Sequence, residues 1–136
     1  MVLMAVPPLA LEWHGDFKFS APAGFPPISL DSGDPQVPSP MQALAYGLMG
    51  CMAMDIVLIL QKGRYDLKGL SVHFEGDRAV TAPKRYTQIQ VRFDVTGPVP
   101  EEAVARAIKL SHETYCSVSN SLRPDIDFTT SYRITE

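Results

Sequence analysis

Cys51 and Cys116 are the only thiols in this 136-residue chain, and they stand 65 positions apart in two different settings. Cys51 lies inside the apolar run Ala43–Met54, and Cys116 heads Ser117-Val118-Ser119-Asn120-Ser121-Leu122. A pair of thiols suits thiol–disulfide chemistry, one sulfur attacking and the other resolving the product. On a helix Cys51 shares a face with Asp55, four residues on, and a carboxylate that close disfavours the thiolate unless a cation offsets it. Taken alone, Cys51 also reads as an inert buried cysteine, since free Cys is among the most buried residue types. Cys116 precedes residues that favour capping, which would put its sulfur near backbone amides at the N-terminus of a short helix over 117–122; space-filling at a helix joint is the other reading.

The elements that must position these sulfurs follow from local signals. Seven of the twelve prolines fall in the first 38 residues, which excludes long helices there. Residues 9–13 and 17–19 flank His14-Gly15-Asp16 and read as a hairpin, with a third strand at 28–30. Ser39-Pro40 opens a helix running to about Lys62, Ser39 as N-cap and Pro40 at the first helical position. Period-two alternation marks strands at 70–74 and 86–95, with Glu75-Gly76-Asp77 as a turn signal between them. A second helix opens at Glu101-Glu102, its stripe made by Ala103, Val104, Ala107, Ile108 and Tyr115. Alternation at Phe128, Thr130, Tyr132 and Ile134 closes the chain with a strand. The predicted order is β-β-β-α-β-β-α-β, an α+β fold.

Composition narrows the partners. With 46% hydrophobic residues the chain can build a core, and a net charge of −3 with scattered Lys and Arg leaves no basic field for nucleic acid. His14, His73 and His112 have no ligand spacing among them, so neither a metal nor another cofactor is expected. No phosphate loop, G-x-S-x-G or H-E-x-x-H motif is present. The first residues lack a basic segment and Pro7-Pro8 interrupts any apolar leader, so the expected compartment is the cytoplasm. Met41–Leu60 has the length of a membrane span, but Asp55 would cost about 2.5–3.5 kcal/mol inside a bilayer. Without a membrane, a helix buried on all sides within the domain is expected.

Two segments together resemble the OsmC/Ohr family of thiol-dependent peroxidases. They are Ser39-Pro40-Met41-Gln42-Ala43-Leu44 leading into Gly47-Leu48-Met49-Gly50-Cys51-Met52-Ala53-Met54-Asp55, and Tyr115-Cys116-Ser117-Val118-Ser119-Asn120-Ser121-Leu122, close to the family's C-x-V-x-x-x-L. The resemblance covers residue 39 to the end, and residues 1–38 match in general character. It implies one OsmC-like domain of antiparallel sheets around two long helices, in an intertwined homodimer with the Cys51 helix in the interface. It also implies reduction of organic hydroperoxides, with Cys51 as the peroxidatic and Cys116 as the resolving cysteine, recycled by an external dithiol.

The chain departs from the family where the attacking sulfur is activated. The family sets an Arg from the N-terminal strands against the thiolate and a Glu at the start of the central helix. Here no Arg precedes Arg64, and Met41 and Gln42 stand where the Glu would fall. Lys18 and His14, in the expected hairpin, are the substitute cations, although Lys lacks the bidentate fork of Arg. The expected activity is therefore weak, with Lys18, His14, Asp55 and Gln42 as candidate tuning residues. The alternative is a non-catalytic dimer of the same fold, serving a structural role or holding an apolar ligand in a pocket rich in Met41, Met49, Met52 and Met54.

Overall fold

A reciprocal pair of hydrogen bonds starts the long helix. In the computed structural model, which describes Met1–Glu136, the Gln42 N–H donates to Ser39 Oγ at 3.2 Å and the Ser39 N–H to Gln42 Oε1 at 2.9 Å. This is a capping box, with Pro40 at the position where a missing N–H costs nothing. Helix α1 spans Pro40–Lys62 and stops where Arg64 takes a left-handed φ of 63°.

The chain divides into two compact units, Met1–Leu44 and Ala45–Glu136, with α1 running across the division. The first unit holds an antiparallel sheet of β1 (Glu12–Trp13), β2 (Lys18–Ser20) and β3 (Ser29–Asp31), in that order. Gly15 and Asp16 adopt positive φ in the expected turn, which is closed by the Lys18 N–H to Gly15 O at 3.0 Å and the His14 N–H to Lys18 O at 2.9 Å. β1 is shorter than the alternation suggests, since Leu9, Ala10 and Leu11 lie outside it. β3 ends at Asp31, whose buried carboxylate accepts the Gly33 N–H at 2.8 Å.

The second unit is built on a sheet of order β4-β5-β6, formed by β4 (Gly69–Arg78), β5 (Tyr86–Thr96) and β6 (Asp127–Thr135). β5 pairs antiparallel with β4 and parallel with β6, aligning Val72 and Tyr132 on either side of Phe93. Ile89, Val91, Phe93 and Val95 alternate onto one fully buried face of β5, as period two requires. The Glu75-Gly76-Asp77 turn expectation fails here: β4 continues through these residues to Arg78, and the connection is 79–85. Gly76 sits opposite Ile89, where an added Cβ would meet Gln88 O at 3.0 Å, so this glycine serves close strand approach rather than a turn.

Helix α2 (Glu101–Leu110) buries Val104, Ala107 and Ile108, and its first turn carries Glu101 and Glu102 at the positive end of the helix dipole. It passes into a π turn over Ser111–Tyr115, and this widening turns Tyr115 to solvent rather than onto the expected stripe. The expected helix over 117–122 is a single 3₁₀ turn, Ser119–Ser121.

α1 departs from expectation in its burial. Ala45, Leu48, Met52, Ile56 and Leu60 form one buried stripe, but Tyr46, Met54 and Leu58 are 65%, 73% and 51% exposed. A single chain therefore covers one face of this helix, because a cylinder lying against one layer presents its far side outward.

Gly97 joins β5 to α2 with φ of +128°, and a side chain there would run into the Asp66 carbonyl oxygen. Gly97→Ala is expected to lower stability by at least about 2 kcal/mol, read as a shifted urea midpoint at unchanged m. An unshifted midpoint contradicts this account of the joint.

Candidate active site

Asp55 is the only charged residue between Pro40 and Leu60, and one hydrogen bond explains its place in so apolar a helix. Ser111, fully buried at the start of the π turn, donates from Oγ to Asp55 Oδ2 at 2.9 Å. The π turn closes with the Cys116 N–H bonded to Ser111 O at 2.7 Å, which sets Cys116 at its end in extended backbone. Cys51 lies one turn before Asp55 on the same face of α1. As a result the two sulfurs and a carboxylate oxygen of Asp55 all lie within 4.8 Å of one another.

The two cysteines differ in surroundings. Cys51 is half-buried, whereas Cys116 is completely buried. The Ser119 N–H donates to Cys116 Sγ at 3.3 Å, so the amide contact expected from the Ser/Asn stretch is present. The same stretch holds the backbone: Asn120 Nδ2 and its N–H donate to Cys116 O at 2.8 and 3.1 Å. Burial pushes the Cys116 thiol above the usual thiol range; the Ser119 amide opposes this, and the neighbouring Cys51 thiol adds to it. No Lys or Arg forms an ion pair with Asp55. Asp55 also borders a cavity of about 630 Å³, lined in part by Leu58, Arg106, Leu110 and Tyr115.

Of the residues singled out from the sequence, Cys51, Cys116 and Asp55 converge. Gln42 spends its side-chain oxygen on the capping box. His14 and Lys18 belong to the N-terminal sheet, where His14 Nε2 meets Ser20 Oγ at 2.6 Å and Lys18 is exposed. The His112 ring stacks on Phe128 with centroids 4.3 Å apart. Met52 is buried in the core while Met54 is exposed, so the methionines of α1 do not line one pocket. Ser111 was missed, because a π turn has no composition signal and a serine after Leu110 reads as an ordinary helix end.

Residues 33–131 match the family model described as OsmC-like protein. The protein named YhfA from Escherichia coli K12 is 43% identical over 105 residues, covering 76% of this chain and 78% of its own. A hypothetical protein from Aquifex aeolicus has a crystal structure similar at a TM-score of 0.88 and 28% identity, covering 97% of this chain and 98% of that one. An organic hydroperoxide resistance protein OsmC from Legionella pneumophila shares the fold at a TM-score of 0.68 and 19% identity, covering 98% of this chain and 100% of that one.

The raised Cys116 thiol has a consequence for folding. Below the ordinary thiol pKa both folded and unfolded chains keep the proton, and the stability is fully present. As pH rises past that value the unfolded chain ionises first, so stability falls until the folded thiol also ionises. Urea midpoints across this range should drop for the wild type and drop less for Cys116→Ala. A wild-type midpoint that rises contradicts the burial of a neutral thiol.

Proposed function

The chain belongs to the OsmC-like protein family, and on that premise we propose that it reduces organic hydroperoxides by a two-cysteine cycle. The observation that carries this reading is that the sulfurs of a half-buried cysteine and a fully buried one lie within 4.8 Å of each other. In the cycle the Cys51 thiolate attacks the peroxide, the O–O bond breaks, a proton is taken up and an alcohol leaves, which makes Cys51 a sulfenic acid. The Cys116 thiol then displaces water to form the disulfide, and an external dithiol restores both thiols. The name of the Legionella pneumophila relative agrees with this chemistry.

Turnover is proposed to be slow. The chain has no Arg before Arg64, and Gln42, at the start of α1, is engaged in its capping box.

The working form is proposed to be a homodimer. Tyr46, Gly50, Met54 and Leu58 recur every fourth residue on the exposed side of α1, and Gly47 lies beside them. An added Cβ at Gly47 or Gly50 would meet nothing within the chain, although each glycine costs a helix about 1 kcal/mol. A second α1 lying against this stripe accounts for both glycines and for the exposed apolar residues. It also makes α1 an interface helix rather than a membrane span, in keeping with a cytoplasmic protein. The second reading, a dimer of this fold without catalysis that is structural or holds an apolar ligand, is favoured by the missing Arg and Glu alone.

Wild-type protein supplied with a dithiol is expected to consume an organic hydroperoxide, and Cys51→Ser to fall to the uncatalysed rate. Equal rates for the two proteins would replace the enzyme with the non-catalytic reading. Sedimentation at micromolar concentration should show a dimer, and Met54→Lys should release monomer. A wild-type monomer contradicts the assembly.

A further inference from the structure

The convergence of Cys51, Cys116 and Asp55 has a second chemistry that needs none of the histidines. Two sulfurs and a carboxylate oxygen within 4.8 Å of one another are the donor set of a soft or borderline divalent cation, and thiolate donors select the zinc class over magnesium or calcium. A tetrahedral zinc with Zn–S of about 2.3 Å and Zn–O of about 2.1 Å holds its donors roughly 3.5–3.8 Å apart. From 4.8 Å or less that spacing needs side-chain shifts on the order of half an ångström. A disulfide asks more, since the sulfurs must close to about 2.0 Å.

The supports around the donors have the form of an outer shell. Cys51 and Asp55, one turn apart on α1, present two donors from a rigid element. Ser111 Oγ donates to Asp55 Oδ2, fixing the carboxylate, and the Ser119 N–H supports negative charge on Cys116 Sγ. With both sulfurs deprotonated the three donors carry three negative charges. No Lys or Arg pairs with Asp55 to balance them, and a divalent ion leaves only one.

We propose that Cys51 Sγ, Cys116 Sγ and an oxygen of Asp55 bind one divalent ion of the zinc class, with a fourth position for water, and that the bound ion keeps the two sulfurs from forming a disulfide. Binding replaces the two thiol protons by the ion and releases them to solvent, and no electron is transferred. The site stands on its donor atoms and does not require the peroxidase reading.

The test uses the reduced full chain, stripped with a chelator and titrated with Co²⁺ alone. Tetrahedral thiolate ligation should give a near-ultraviolet sulfur-to-cobalt charge-transfer band and visible d–d bands that saturate at one ion per chain and are bleached by Zn²⁺. Ser111→Ala should weaken binding about 10-fold. Asp55→Ala should weaken it by at least as much, and Cys51→Ser should reduce the charge-transfer intensity. Zinc-loaded wild type should form disulfide more slowly than the stripped protein under the same disulfide-forming oxidant. Absence of the charge-transfer band in wild type at stoichiometric Co²⁺ overturns the site, whatever the variants do. Equal affinity in a folded Asp55→Ala overturns the carboxylate's part and reduces the event to thiol capture. Because absorption is the readout, a protein that binds cobalt yet leaves hydroperoxide untouched fails only the peroxidase reading.

Discussion

The hydrogen bond from Ser111 to Asp55 joins positions 56 apart in the chain and ties the helix that bears Cys51 to the turn that bears Cys116. A bond to a charged carboxylate contributes about 1.5–3 kcal/mol net, and an unpaired carboxylate on an apolar helix would cost more than that to bury. The π turn follows from the same residue, since the Ser111 carbonyl accepts the Cys116 N–H and so sets the second sulfur beside the first. Cys51 is delivered by the helical repeat from Asp55, and Cys116 by the turn from Ser111. The dithiol is thus a consequence of one polar contact between α1 and the end of α2.

That contact also shapes the reactivity. Asp55 anchors the site and at the same time places its carboxyl group beside two thiols, one of which burial pushes above the usual thiol range. A site of this kind has two ways to lower its electrostatic cost. It can keep protons on the sulfurs, which slows attack on a peroxide, or it can gather a cation. The first arginine of this chain lies beyond the Cys51 helix, at Arg64.

Much of the fold was legible because its signals are local. Ser39-Pro40 and Gly63 bracket α1, and the alternation at Ile89, Val91, Phe93 and Val95 marks the buried face of β5. The readings that failed depended on what a segment meets. Glu75-Gly76-Asp77 has the composition of a turn, yet ten paired positions between β4 and β5 hold it extended. The one-sided burial of α1 was hidden because its exposed face is as apolar as its buried one, a pattern with no amphipathic signature. At the site, the cysteines and Asp55 were readable from type and spacing. Ser111 was not, since its role exists only once α2 widens into a π turn against α1.

The central claim is that Cys51 and Cys116 of one chain act as a single dithiol. Reduced protein treated with one equivalent of an organic hydroperoxide, quenched, digested and mapped by mass spectrometry without reduction tests it most directly. One dominant cross-link is expected, Cys51 to Cys116 within the same chain. Free thiols alone, or links only between chains through like cysteines, would contradict it.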